Sequence, residues 1–438
     1  MGFLSAYDVT KNPAYLHAAN QAADFLLGTQ TPANSGRWPD YYDSTGPASY
    51  GFTSLDDGAA GISDFFLNVY QRDVVTGLPA ECLTATKPAE YLKSAERGMD
   101  WLMGQAQAPK GSTITQQCYW KWRDPSNAST PVYTGVGSGQ AGIIYEIDRL
   151  GNSISSFDAS WKTPWQQYVV AGSRFLENQI TSSGAVPEKV GGRAVYNTGL
   201  YAGAAGVACV FYNLYYNHKS PSDGLSAYAG QWLNDANKVM NWVESVAVPQ
   251  RNGLAWHVSE GVNGNKVLST EMAEGAAGIG WAELQRFFAT GDPTHLGYAY
   301  GAGDWLLSQE LKPSASLSPE KGGYWNAYVG KDDVYTSLDL GVAGIGVFLF
   351  DLSKLRSANA SCYLAASREA QDWLQSVAVT SSSGLSWYIH RSGGVWSGLG
   401  ESSWNWGSSG IISAIATMNG WSVDLPRDLY GLPTLKLS

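Results

Sequence analysis

Hydrophobic positions along this 438-residue chain alternate between two kinds of helical segment. The first kind is amphipathic. Leu16, Ala19, Ala23, Leu26 and Leu27 recur at the three- and four-residue spacing of one helix face, and Leu92, Ala95, Met99, Leu102 and Met103 repeat it. The second kind is apolar almost all round, as in Val207–Phe211 and Ile345–Phe350, and predicts helices buried on most sides. Each of these opens with Gly-x-x-Gly. The copies begin at Gly58, Gly139, Gly203, Gly275, Gly341 and Gly407, at intervals of 81, 64, 72, 66 and 66 residues. A period of this length is one supersecondary unit repeated, with neighbours stacked to bury a shared core.

The amphipathic segments share a signature: Asp24-Phe25-Leu26, Asp100-Trp101-Leu102, Asn241-Trp242-Val243, Asp304-Trp305-Leu306 and Asp372-Trp373-Leu374, with Ser173–Leu176 a looser copy. Their aromatic residues belong to the repeat core. An outer amphipathic helix and an inner buried one, six times over, predict an all-α (α/α)6 toroid forming one domain over 1–438. The expected hairpins span about 9–72, 88–150, 163–217, 224–290, 294–356 and 360–420, followed by a tail at 421–438. Inner and outer helices alternate in direction, so the six connecting loops and six inner N-termini share one mouth. Function is expected there. Phe3–Tyr7 resembles Phe66–Tyr70 at the end of the first glycine-led segment, so the chain is expected to open inside a helix, with an upstream segment removed.

Composition narrows the functional classes. Charged residues make up 15%, well below the roughly 25% of an average soluble chain, and 50 Gly, 25 Tyr and 18 Trp take their place. Such a neutral polar and aromatic surface suits a secreted protein. The net charge of −10 with no basic run excludes nucleic acid as a partner, and no apolar stretch has transmembrane length. The N-terminus carries no signal peptide. Cys82, Cys118, Cys209 and Cys362 show no metal-ligand spacing; Cys209 reads as a buried thiol, and a Cys82–Cys118 disulfide fits only an extracellular setting. No cofactor or metal is expected.

The glycine-pair helices resemble the lanthionine synthetase C-like superfamily. The turns Thr290–Leu296 and Lys11–Leu16 are also typical of it. The resemblance covers nearly the whole chain and implies the helical toroid. In the lanthipeptide cyclases of that superfamily, a Cys-His pair before one glycine pair and an upstream Cys bind zinc. The corresponding pairs here are Asp56-Asp57, Gly137-Ser138, Tyr201-Ala202, Ala273-Glu274, Asp339-Leu340 and Asn405-Trp406. None is Cys-His, so lanthionine formation is not expected. Similar toroids host glycoside hydrolases, polysaccharide lyases and terpene cyclases, and the Asp-x-Asp-Asp motif of protonating terpene cyclases is absent.

Carboxylates cluster just before the glycine pairs: Asp56, Asp57, Glu271, Glu274, Asp339 and Glu401. Thr53–Asp56 and Thr336–Asp339 are the same tetrapeptide and read as capping boxes. Glu271 and Glu274 lie three apart on one helix face. Paired carboxylates are the equipment of glycoside hydrolysis, and the acid and base are expected among Glu274, Asp57, Asp339 and Glu401, with Glu274 first. Glycine shortly before tryptophan recurs in the loops. Trp38, Trp122, Trp256, Trp325, Trp387, Trp404 and Trp406, with Tyr201, are the expected sugar-stacking platform; the competing reading is that the loop tryptophans plug gaps between hairpins. His257 and His390, placed alike after Trp256 and Trp387, are candidates for substrate contact and proton transfer. An acidic mouth favours a neutral sugar. The expected function is an extracellular glycoside hydrolase. The alternatives are a polysaccharide lyase with His257 or Tyr201 as base, and a non-catalytic scaffold binding carbohydrate or peptide.

Overall fold

Six helical hairpins surround a common axis in the computed structural model, which describes the chain apart from residues 1, 31, 40–41, 44–45, 48–50, 57, 77–87, 123–128, 314–319, 356, 383, 401–402, 404–405 and 421–438. After a short α1 (Gly2–Thr10), the outer helices are α2 (Pro13–Thr29), α4 (Pro88–Gly104), α6 (Trp165–Glu177), α8 (Ser226–Ser245), α10 (Thr294–Gln309) and α12 (Ala360–Ser376). The inner helices are α3 (Ala59–Thr76), α5 (Gln140–Phe157), α7 (Ala204–His218), α9 (Ala276–Thr290), α11 (Val342–Ser353) and α13 (Ser408–Met418). Inner helices pack on one another in chain order, and each of the first five packs against the outer helix that follows it. The all-α toroid expected from the repeat is what forms. Helix α1 stands at the seam, against α2 and α13, and its Asp8 pairs with Arg72 of α3.

Local chemistry sets the helix ends. Asn12 accepts the Ala14 N–H at 3.0 Å and Pro13 opens α2, while Gly291 ends α9 at φ 73° and Asp292 caps α10 through the Thr294 N–H at 2.9 Å. The inner N-termini use another device. The first glycine of the pair is their N-cap, in an extended conformation and with no side-chain cap. The open helix donors turn back onto the preceding strand of chain: Gln140 N–H to Tyr133 O at 3.0 Å, Ala205 N–H to Thr198 O at 3.1 Å, and Ala276 N–H to Ser269 O at 3.0 Å. This fold-back leaves no room for a side chain. A Cβ on Gly206 would overlap the Leu200 carbonyl, and one on Gly278 the Met272 carbonyl.

The threonine of the expected capping boxes does something else. Thr53, Thr134, Thr198, Thr270 and Thr336 each stand five residues before a glycine pair and donate their hydroxyl to the next hairpin's loop. The acceptors are Lys121 O (2.7 Å), Pro187 O (2.6 Å), His257 O (2.6 Å), Asn326 O (2.8 Å) and Tyr388 O (2.6 Å). Backbone bonds link the turns in the same direction: Asp56 N–H to Gly137 O (3.3 Å), Val136 N–H to Tyr201 O (2.8 Å), Tyr201 N–H to Ala273 O (2.7 Å) and Met272 N–H to Asp339 O (3.0 Å).

The loop tryptophans are plugs. Trp38, Trp120, Trp256, Trp325 and Trp387 are all at most 3% exposed. Each indole N–H donates to a carbonyl near the end of its own outer helix: Leu26 (3.0 Å), Leu102 (2.9 Å), Val243 (2.9 Å), Leu306 (2.7 Å) and Leu374 (2.7 Å). Trp38, Trp256, Trp325 and Trp387 are therefore corrected from the sugar platform to the core, because burial and an engaged N–H leave no face for a ligand at the mouth. The glycine before the plug presses on the next outer helix: Gly253, at φ 127°, lies against the Gly301 carbonyl. Gly184 (φ 98°) does the same in the third loop, which has no tryptophan.

Cys118 and Cys209 are buried and Cys82 lies outside the described residues. Among the described residues no helix is long and apolar enough to cross a membrane. The plug reading makes a prediction. Trp256→Phe removes the N–H donor while keeping most of the ring volume, and should cost about 1–3 kcal/mol in denaturant unfolding without changing ligand affinity at the mouth.

Candidate active site

The residue two before each glycine pair carries the turn-to-turn bonds, and its side chain forms the floor of the mouth. In the first, third and fifth hairpins it is Asp56, Tyr201 and Asp339; in the second and fourth it is Gly137 and Ala273. Large and small side chains thus alternate around the axis. The Tyr201 hydroxyl is hydrogen-bonded to the Asp56 carboxylate and to Ser138. Gly137 lies flat against them, since a Cβ there would overlap the Tyr201 ring. Burial, then the Asp56 charge and hydrogen bond, with Asp339 adding, hold Tyr201 far above the ordinary tyrosine range. Tyr201 is a proton-bearing donor here, which opposes its use as a base. Asp339 is 2% exposed and lies in this floor beside Tyr201 rather than open at the mouth.

Glu271 and Glu274 come from one turn and differ in role. Glu271 is fully buried; Oε1 accepts the Ser269 hydroxyl at 2.7 Å and Oε2 accepts the Glu274 N–H at 2.9 Å. In the fifth and sixth turns a serine occupies this position. Ser337 accepts the Leu340 N–H and Ser403 the Trp406 N–H, both at 3.3 Å. A carboxyl thus replaces a neutral hydroxyl in one turn of the ring. Burial, with the Glu274 charge adding, pushes Glu271 up to about 8. Glu274 is partly exposed, and its Oε2 accepts the Tyr328 hydroxyl at 3.3 Å. Burial raises it as well; the Tyr328 hydrogen bond opposes the rise and the Glu188 charge adds to it.

A cavity of about 270 Å³ opens beside these groups, lined by Trp122, Tyr133, Ser138, Glu188, Tyr201 and Ala202. Trp122 and Tyr133 meet edge to face, their centroids 5.8 Å apart, and the Lys189 ammonium lies 5.2 Å from the Tyr133 centroid. The backbone of Gly199 packs on the Cα of Glu274, and Tyr201 N–H bonds Ala273 O at 2.7 Å. These contacts put Glu274 next to the cavity's Tyr201 wall. A larger apolar groove of about 520 Å³ lies away from the mouth, beside α1, and Tyr15 is its only titratable lining residue.

His257 and His390 do not occupy matching places. The His257 carbonyl accepts from Thr198, which is the place of Tyr388 in the last loop; His390 lies two residues further on. Each is half-buried and paired with a carboxylate: His257 Nδ1 with Glu260 at 2.8 Å, His390 Nε2 with Asp333 at 3.2 Å. His390 stacks on Tyr335 at 4.4 Å, and Tyr335 meets the edge of Trp406, which is 41% exposed. Asp57, Glu401 and Trp404 lie outside the described residues.

The structure therefore brings together Trp122, Tyr201 and Glu274, and groups His390 with Trp406. Glu188, Tyr133, Ser138 and Tyr328 were not among the expected site residues. The sequence carries no signal for Glu188; only the structure shows that its carbonyl accepts the Thr134 N–H as that of Trp122 accepts the Thr53 N–H, so the two share one repeat position.

No family model and no curated protein sequence matches this chain. Among solved structures, a nisin cyclase matches with TM-score 0.59 and 14% identity, over 98% of this chain and 89% of that one. A D-mannose isomerase matches with TM-score 0.58 and 11% identity, over 95% and 99%. At these identities the likeness shows the fold, a toroid shared by both.

Glu271 has a consequence for stability. Its ordinary value is 4.5 and its value in the fold about 8. Across that interval the folded form keeps a proton that the unfolded chain has released, so stability falls as pH rises. Glu271→Gln should flatten this fall, read as denaturant midpoints at about pH 5 and about pH 8.

Proposed function

We propose that this chain is an extracellular carbohydrate-active enzyme that hydrolyses glycosidic bonds of a neutral sugar. The observation that supports this most directly is a raised carboxyl, Glu274, beside an aromatic cavity that carries a second carboxylate, Glu188. Glu274 is the proton donor to the leaving oxygen, because burial keeps it protonated at higher pH than an exposed glutamate. Glu188 is the carboxylate that activates water or meets the anomeric carbon. Trp122 and Tyr133 supply apolar faces for a sugar ring, and Tyr201 and Ser138 supply hydroxyls. The cavity is at the small end for small-molecule sites, a size that suits one sugar unit.

A second reading is an aldose–ketose isomerase, the activity by which one structural neighbour is named. The histidine–carboxylate pairs His257–Glu260 and His390–Asp333 favour it, since each is equipped to move a proton at a sugar carbon. The two readings differ in product. Hydrolysis creates a new reducing end, whereas isomerisation leaves every glycosidic bond intact and exchanges the hydrogen next to the carbonyl with solvent deuterium.

Glu274→Gln is expected to lower the rate of glycoside cleavage by about 10²–10⁴-fold with an unchanged circular dichroism spectrum. Full cleavage activity in that variant would remove Glu274 as the proton donor, and no new reducing end from the parent chain would remove the hydrolase reading. Tyr328→Phe deletes the hydrogen bond that lowers Glu274, so the alkaline limb of kcat/KM should move to higher pH. Glu188→Gln deletes a charge that raises Glu274 and also the proposed second carboxylate, so cleavage should be lost rather than shifted.

A further inference from the structure

A second group of titratable side chains lies away from the mouth, between two consecutive hairpins. It joins Glu244 near the end of α8, Glu283 within α9 and His295 at the start of α10. One ligand atom from each falls within 4.8 Å of the other two. His295 Nδ1 is 3.2 Å from Glu244 Oε1 and 3.8 Å from Glu283 Oε2. Glu283 is fully buried, and neither of its carboxylate oxygens has a hydrogen-bond partner. A buried carboxylate without a donor is costly, and proteins resolve that cost with a partner, a proton or a metal.

The nearby arginine does not resolve it. Arg286 spends its guanidinium on Glu244 (2.8 Å), Asn241 and Asn237, not on Glu283. The three ligand atoms already have nearly the spacing a metal needs. Tetrahedral ligands about 2.1 Å from zinc stand about 3.4 Å apart, and the two separations made by His295 bracket that distance. The other ring nitrogen of His295, Nε2, faces Asp292 at 4.0 Å. A carboxylate behind a histidine is the usual outer support of a metal-bound imidazole, fixing its tautomer.

We propose that Glu244, Glu283 and His295 form a binding site for a divalent transition-metal ion, zinc by its mixed carboxylate and imidazole donors, with Asp292 as a positioning residue. The ion would staple α8 and α9 of the fourth hairpin to α10 of the fifth. Among the described residues no other group of three histidine, cysteine or carboxylate side chains has this spacing. The site is separate from the glycine-pair position at which the lanthipeptide cyclases hold their zinc.

The test uses the untagged full chain, stripped with chelator and exchanged into chelator-free buffer, then titrated calorimetrically with zinc chloride. One zinc per chain and an upward shift of the melting midpoint are expected. Glu283→Gln and His295→Gln should each weaken binding by about tenfold or more. If those variants fail to fold, Asp292→Asn keeps the measurement decisive: it lies on an exposed turn and should still weaken zinc by about tenfold. Glu274→Gln, at the mouth, should bind zinc as the parent does. No stoichiometric zinc, zinc retained undiminished by Glu283→Gln and His295→Gln or by Asp292→Asn, zinc lost in Glu274→Gln, or binding of calcium in place of zinc would each overturn the assignment.

Discussion

The hydrogen bonds that pass from each pre-helix turn to the next are the constraint on which the rest of this toroid depends. Two bonds recur among the described residues: a backbone N–H near the glycine pair reaches the following turn at four steps, and a threonine hydroxyl reaches the following loop at five. Neither can form unless successive turns adopt the same backbone path. That path folds so tightly onto the start of the inner helix that Cβ atoms are excluded at the pair. The glycine pair is thus a consequence of the ring of turns. The second glycine also lets the preceding hairpin's turn approach, since a Cβ on Gly206 would meet Val136 and one on Gly278 would meet Leu200.

Fixing the backbone leaves the side chains between threonine and glycine free to vary, and the chemistry of the mouth lives in that freedom. At one position the ring alternates Asp56, Gly137, Tyr201, Ala273 and Asp339, because neighbouring large side chains could not all enter a narrow axis. At another, Glu271 replaces the serine of neighbouring turns and makes the same hydrogen bond to a backbone N–H. The scaffold tolerates a buried carboxyl there because two donors, Ser269 and Glu274 N–H, already point at it. Its remaining cost appears as the upward shift of its proton affinity.

The architecture was legible in the sequence because glycine pairs and helical periodicity are both local patterns with large steric causes. The site was only partly legible. Thr53 and Thr336 looked like capping residues, since the capping box uses the same residue types; only the fold shows that their hydroxyls face the next hairpin. The tryptophans of the Gly-Trp loops looked like ligands or plugs with equal reason, and the deciding fact, an indole N–H on an outer-helix carbonyl, is a contact across 12 to 19 residues. Glu188 escaped because its loop lacks the tryptophan that aligns the others. Its equivalence to Trp122 rests on a backbone bond that no spacing reveals.

Two buried glutamates show how far burial alone can be interpreted. Glu271 and Glu283 are equally inaccessible, and burial raises the proton affinity of both. They differ in donors. Glu271 has a hydroxyl and a backbone N–H aimed at its two oxygens, so it is a structural cap of the turn that carries Glu274. Glu283 has none: His295 Nδ1 stands 3.8 Å away, beyond hydrogen-bond reach, and Arg286 and Glu244 act on it only through their charges. The same burial therefore goes with an internal cap at the mouth and argues for an external cation at the hairpin seam. The distinction lies in the hydrogen-bond inventory rather than in depth or charge.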